Sequence, residues 1–305
     1  MTDTYHKLQG LGTALITPFR NDGTLDEDAL IRLINRQTEG GADYLVVLGT
    51  TGEAATMSRE EKMRVIEIVT EHVHGRLPLV LGMGGNNTAL LTNELKENSE
   101  LIRKHFTAIL SVCPYYHKPS QEGLFQHFKA VAEVSPVPVI LYNVPGRTGV
   151  NMLPETVIRI WEDMQDKIAG IKEASGNIEQ IKSLINMAAE SYKRRGQYGT
   201  PLLVISGDDG ITAELMDAGA DGLISVAANA FPEVFKKIVH MHDHALQQKY
   251  EEIVRLLFAE GNPSGIKTVL ALQGQIDNNL RLPLVPNSET IQQKIKTELK
   301  RLTKG

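Results

Sequence analysis

One lysine in this chain has surroundings that suggest covalent chemistry. Lys172 stands in I-A-G-I-K-E-A-S-G-N (Ile168–Asn177). Mostly apolar residues lead into it, and a polar, glycine-bearing turn follows at once. That is the pattern of a short buried strand whose last side chain sits at a sheet edge or a barrel mouth. An amine held there is partly dehydrated, and in its neutral form it attacks a ketone to give a Schiff base. The competing reading is a solvated lysine at a strand end, so the decision falls to what the other segments bring near it.

Those segments end in polar residues of the right kinds. Thr50 and Thr51 follow one apolar run, Tyr116 a second, Tyr142 and Arg147 a third, and Gly207 a fourth. A phenol near the amine can carry protons as carbinolamine becomes imine. A threonine hydroxyl can orient that phenol, and an arginine can hold a carboxylate through two parallel bonds. Each also has a plainer reading: the threonines as turn caps, Tyr142 as a core aromatic with its hydroxyl bonded, Arg147 as a surface charge.

Other features point away from chemistry. His240, His242 and His244 fall in a helical stretch where His240 and His244 would share a face. With no convincing third ligand nearby, a solvated face is the better reading, and no metal site is expected. Asp208 and Asp209 read as helix caps. The turn G-M-G-G-N-N (Gly82–Asn87) has no lysine at P-loop spacing. Cys113, the single cysteine, cannot form an internal disulfide and reads as a core residue.

The elements that would position Lys172 alternate from the start. Apolar runs lie at Gly12–Ile16, Tyr44–Leu48, Leu77–Leu81, Ala108–Val112, Val137–Leu141, the Lys172 segment, Leu202–Ser206 and Gly222–Val226. Helical patterns separate them. Leu30, Leu33 and Ile34 make one buried stripe; Val65, Ile68, Val69 and Val73 make another. Further helices are expected at 89–105, 120–134 and 178–189. Thr24 with Glu27, and Ser58 with Glu61, have capping-box spacing. Pro154 suits a first helical turn. Strand–helix alternation implies parallel strands with helical crossovers, and eight such units in about 250 residues predict a (β/α)8 barrel. A doubly wound sheet would want a glycine-rich corner after its first strand; here that corner is T-P-F (Thr17–Phe19). From about Phe231 only helical pattern remains. The expected organisation is therefore a catalytic barrel over 1–230 and a helical C-terminal region over 231–305. In a barrel the strand ends converge on one face, which weakens the solvated reading of Lys172.

Composition agrees with a soluble enzyme. Hydrophobic residues make up 42% of the 305 and charged residues 23%, enough for a sizeable core. A net charge of −5 disfavours a nucleic-acid surface. No signal-peptide pattern or long apolar span is evident, so a cytoplasmic location is expected.

Taken together, G-T-T-G-E (Gly49–Glu53), C-P-Y-Y-H-K-P-S-Q-E-G (Cys113–Gly123), Y-N-V-P-G-R-T-G (Tyr142–Gly149), G-I-K-E-A-S-G-N (Gly170–Asn177) and S-G-D-D (Ser206–Asp209) resemble the dihydrodipicolinate synthase family. These are lysine-dependent, class I aldolases related to N-acetylneuraminate lyase. The resemblance runs nearly end to end. It implies that Lys172 forms the Schiff base with pyruvate and that Tyr142 relays protons. Thr51 would link Tyr142 to Tyr116, which a second subunit would supply. It further implies that Thr50 and Thr51 hold the pyruvate carboxylate, that Arg147 receives the carboxylate of L-aspartate 4-semialdehyde, and that Gly207 and Ile224 line the pocket. No cofactor or metal is implied, and the implied assembly is a homotetramer, a dimer of dimers. One departure stands out. Where lysine-inhibited members carry histidine and glutamate in an effector cleft, this chain has Arg59, Lys62 and Leu90, although Asn86 and Tyr115 are in place. Two cations and an apolar residue suit a cationic amino acid poorly, so weak or absent lysine feedback is expected. A sialic-acid-type lyase on the same barrel, and a catalytically silent barrel, remain as alternatives.

Overall fold

In the computed structural model, which describes residues 2–304, eight parallel strands pair in chain order into a closed barrel. They are β1 (Gly10–Ala14), β2 (Tyr44–Val47), β3 (Leu79–Gly82), β4 (Ala108–Val112), β5 (Val139–Asn143), β6 (Ile168–Glu173), β7 (Leu203–Ser206) and β8 (Gly222–Ser225). The expected (β/α)8 fold is therefore present. Six of the eight strands are buried at every residue, and β3 and β4 at all but the last. Strands covered on both faces read as continuous apolar runs, which is why no period-two alternation marks them. After β8 come helices Pro232–Met241, His244–Phe258, Ser264–Leu272 and Glu289–Lys304.

The chain groups into two compact units. One contains Pro78–Ile224 with the N-terminal residues through Gly10. Within it, Asp221 is a junction. Its carboxylate accepts from the Tyr5 hydroxyl at 2.7 Å and the Val204 N–H at 2.8 Å, and its carbonyl accepts from Gly10 N–H at 2.9 Å. Burial raises the Asp221 carboxyl above its ordinary range, against those hydrogen bonds.

The other unit contains Leu11–Leu77 and the chain from Ser225 onward. Thr13 Oγ1 donates to Gln37 Oε1 at 2.8 Å, and Gln37 Nε2 donates to the carbonyls of Ala228 and Asn229. Asn229 in turn accepts from Ile16 N–H and donates to the Ala14 carbonyl. This buried amide chain ties β1 to helix Glu27–Glu39 and to the segment after β8.

Helix boundaries follow capping chemistry. Ser58 and Glu61 form the expected reciprocal box. Thr24 and Glu27 do not. Asp26 takes the cap by accepting from Ala29 N–H, while Thr24 is turned toward Asp22, because an aspartate directly before the helix is the stronger cap. The single helix expected over 89–105 is two, Thr88–Glu97 and Ser99–His105, parted at Asn98. The histidine stretch is also interrupted. Its first helix ends at Met241, His242 is left-handed at φ 50°, and a new helix opens at His244 behind the cap Asp243. His240 and His244 therefore share no helix face, and His240 Nε2 lies 2.6 Å from Asp43 Oδ2.

Candidate active site

Strand β6 carries Lys172 one residue before its end, so the polar turn begins after Glu173 rather than after the lysine. Lys172 is 6% exposed and Tyr142 is 7% exposed, which removes the solvated reading of the lysine. The two are register partners on β6 and β5. Lys172 Nζ lies 4.5 Å from the centroid of the Tyr142 ring. A buried amine and a buried phenol ring thus form one cross-strand pair. The Tyr142 carbonyl accepts from Cys113 N–H at 2.9 Å, anchoring the end of β5 to the chain leaving β4. Burial pushes the Cys113 thiol up to about 12, so it is an inert core group.

Gly207 follows β7, and its N–H donates to the Glu173 carbonyl at 2.8 Å. A Cβ built there would stand 2.9 Å from Lys172 Cε and 2.6 Å from Ala174 Cβ. The absent side chain is the space the lysine stem uses. Ile224, on β8 in the same unit, is 1% exposed. Arg147 sits on the short helix Pro145–Thr148 that follows β5, with Pro at its first position and left-handed Gly149 closing it. It is exposed to solvent. Tyr116 N–H donates to the Thr148 carbonyl at 3.3 Å, so the Tyr116 loop is tied to the Arg147 turn. Tyr116 itself is left-handed at φ 74° and 82% exposed.

Thr50 and Thr51 belong to the other unit, on a single 3-10 turn leaving β2. They differ sharply: Thr50 is exposed, whereas Thr51 is 3% exposed. Thr51 Oγ1 accepts from Asn262 Nδ2 at 3.0 Å, which directs its own proton elsewhere. The turn is held from below by Glu53, left-handed at φ 53°, whose carboxylate pairs with Lys267, both side chains being fully buried. Arg281 N–H donates to the same carboxylate at 3.2 Å. Burial lowers Lys267 to about 8, with Glu53 acting in the opposite direction.

The sequence did not single out Glu173, Asn143, Asn262, Lys267 or Arg281. For one of them a signal existed: Lys267 is a charge inside S-G-I-K-T-V-L-A-L, an otherwise uncharged helix. Among the described residues no group of three or more His, Cys, Asp or Glu is placed to hold a metal ion.

The model of the dihydrodipicolinate synthetase family matches residues 7–302. The chain belongs to that family. A family relative from Parabacteroides distasonis, named 4-hydroxy-tetrahydrodipicolinate synthase, is 47% identical over 97% of both chains. Among solved family structures, the dihydrodipicolinate synthase of Thermotoga maritima superposes with a TM-score of 0.89 at 38% identity, covering 97% of this chain and 99% of that one. A chloride-inhibited dihydrodipicolinate synthase from Acinetobacter baumannii, complexed with pyruvate, has a TM-score of 0.88 at 38% identity, covering 96% and 98%.

Proposed function

We propose that this chain is a 4-hydroxy-tetrahydrodipicolinate synthase, a lyase that condenses pyruvate with L-aspartate 4-semialdehyde on the route to diaminopimelate and lysine. The relatives that share nearly half of its residues along almost their whole length bear that name. The observation that carries the reading is the buried pair Lys172 and Tyr142.

The Lys172 amine adds to the pyruvate ketone, and the carbinolamine loses water to give the imine, with Tyr142 carrying the proton. Loss of a methyl proton gives the enamine, whose carbon attacks the aldehyde of the second substrate. The amine of that substrate then closes the ring on the imine carbon and displaces Lys172. In this reading Thr50 and Thr51 hold the pyruvate carboxylate, and Thr51 also links Tyr142 to Tyr116. Arg147 receives the semialdehyde carboxylate, and Gly207 and Ile224 line the pocket. The covalent pyruvyl-lysine does the work of a cofactor, so none is proposed. A homotetramer built from two dimers, with Tyr116 reaching a second copy, fits the 82% exposure of that tyrosine. Among the described residues no helix is long and apolar enough to cross a membrane, and a cytoplasmic location is proposed.

Borohydride trapping with pyruvate, read by peptide mass, tests the chemistry. A reduced pyruvyl adduct on the Lys172 peptide is expected, and an adduct elsewhere or none overturns the reading. A coupled assay then chooses the acceptor. Turnover with L-aspartate 4-semialdehyde is expected; turnover only with sugar-derived aldehydes would make the chain a sialic-acid-type lyase instead.

A further inference from the structure

Behind the Lys172–Tyr142 pair lies a second buried polar cluster, and the steps above use none of it. The next register pair along the same two strands is Asn143 with Glu173. Successive residues of a strand face opposite sides, so this pair stands on the other side of the sheet from the reacting pair. Both residues are fully buried.

The Glu173 carboxylate accepts from three donors. Oε1 takes the Ser175 N–H at 2.8 Å, and Oε2 takes Asn143 Nδ2 at 2.9 Å and Gln180 Nε2 at 3.2 Å. The Asn143 amide cannot be turned round, because its Oδ1 accepts from the backbone N–H of Met152 at 3.0 Å. Its Nδ2 also donates to Asn151 Oδ1 at 2.8 Å. Asn151 and Gln180 exchange amide bonds in both directions, at 2.8 and 3.2 Å. One carboxylate thus gathers the ends of β5 and β6, the turn after β6, the loop at Asn151 and the first turn of helix Ile178–Arg194. Fold stability gives no reason for a charge there. Burying a carboxylate is costly, and an apolar cluster of the same volume commonly serves stability equally well. Burial does raise the Glu173 carboxyl, against the bonds it receives. What a multiply bonded carboxylate offers over an apolar group is direction.

We propose that Glu173 is a positioning residue for the imine-forming pair: its carboxylate locks the ends of β5 and β6 so that the Lys172 amine is held against Tyr142. The proposal rests on Lys172 being the amine that reacts with pyruvate. Glu173 touches no reacting atom in it and acts through Lys172 and Tyr142. A displacement of about 1 Å at a reacting group costs on the order of 100-fold in rate, so loosening this tie is expected to be seen first in imine formation.

The test is the time course of borohydride trapping with pyruvate in the intact enzyme and in Glu173→Gln. Glutamine keeps the volume but turns a donor toward one of the three donors. The wild type must trap at Lys172; if it does not, the reading of Lys172 fails, which is a separate result. In Glu173→Gln, trapping is expected to slow by roughly 10- to 100-fold and still reach the wild-type end point, with KM for pyruvate raised and the second-substrate KM unchanged. A merely structural role would lower the end point and leave the rate of the folded fraction alone. That outcome, or a wild-type rate, overturns the proposal. Should Glu173→Gln fail to fold, Gln180→Ala decides. It removes one donor from a half-buried side chain, and slowed trapping supports the proposal while an unchanged rate overturns it.

Discussion

Lys172 and Arg147 are assigned separate tasks, and single substitutions separate them. Lys172→Ala is expected to abolish pyruvate trapping. Arg147→Ala is expected to leave trapping intact and to raise the KM for the semialdehyde by about 10- to 100-fold, the worth of a charge-assisted carboxylate contact. Equal loss of trapping in both variants would refute that division of labour. Gly207 supplies a third residue-level test. A methyl group there stands 2.9 Å from Lys172 Cε, closer than packed carbons tolerate. Gly207→Ala is expected to fold and to trap pyruvate at least ~10-fold more slowly; a wild-type trapping rate would show that the lysine stem has room to spare. The positions of Lys172, Tyr142 and Gly207 at or beside strand ends were legible because each closes an apolar run, and run ends are where a parallel barrel places its polar groups. Glu173 was not, because a carboxylate followed by A-S-G-N reads as the start of a polar turn, and nothing local shows that it stays in the strand. The Thr51–Asn262 bond joins residues 211 apart, a separation that no local pattern encodes.

The element that depends most on distant support is the turn Thr50–Gly52. Its lower end is fixed by the buried Glu53–Lys267 pair, with Lys267 Nζ also donating to the Asn279 carbonyl at 2.9 Å and lying 4.4 Å from the Phe19 ring centroid. Removing one partner strands the other charge. Lys267→Met is expected to cost about 3–5 kcal/mol in denaturant unfolding, and Lys267→Met with Glu53→Gln much less than the two single changes added together. Additive losses would mean that the pair is not coupled. Next to it, Arg281 donates to Glu61 at 2.7 Å and to the carbonyls of Thr56 and Gly23. The hydrogen bond from Arg281 holds Glu61 well below its ordinary 4.5, at about 2. A lowered carboxylate contributes stability that is present above 4.5 and is lost as pH falls toward 2. Glu61→Gln is therefore expected to lower the thermal midpoint at pH 6 and to flatten its decline between pH 4.5 and 2; a parallel decline in both proteins would remove Glu61 as the cause. Elements as such were well marked in the sequence. Their ends were less so where two cap candidates competed, as at Thr24 and Asp26, or where one polar residue broke a helix, as at Asn98.

At the scale of the whole molecule, two properties depend on more than one region or one copy. The first is feedback. Arg59 and Leu90 are exposed and Lys62 is half-buried, and the family resemblance of the sequence implies that they replace the histidine and glutamate of lysine-inhibited members. Half-inhibition by L-lysine is expected well above ~1 mM, since the cations at positions 59 and 62 repel a third; an initial-rate titration with half-inhibition far below that would refute the reading. The second is assembly. Tyr116 is left-handed, 82% exposed and beside Tyr115, itself 42% exposed, a placement that suits a side chain offered to another copy. Were Tyr116 to serve its own subunit, a mixture of Lys172→Ala and Tyr116→Phe chains would stay as inactive as its parts, because every site would lack one group. If it serves a neighbour, a mixed dimer has one site holding both Lys172 and Tyr116. Random reassembly of equal amounts makes half of the dimers mixed, so activity is expected to recover to about a quarter of wild type in a two-fold symmetric pair. Recovery on mixing, at a protein concentration where each variant alone is inactive, is the measurement, and no recovery after verified exchange of subunits would place Tyr116 in its own subunit's site.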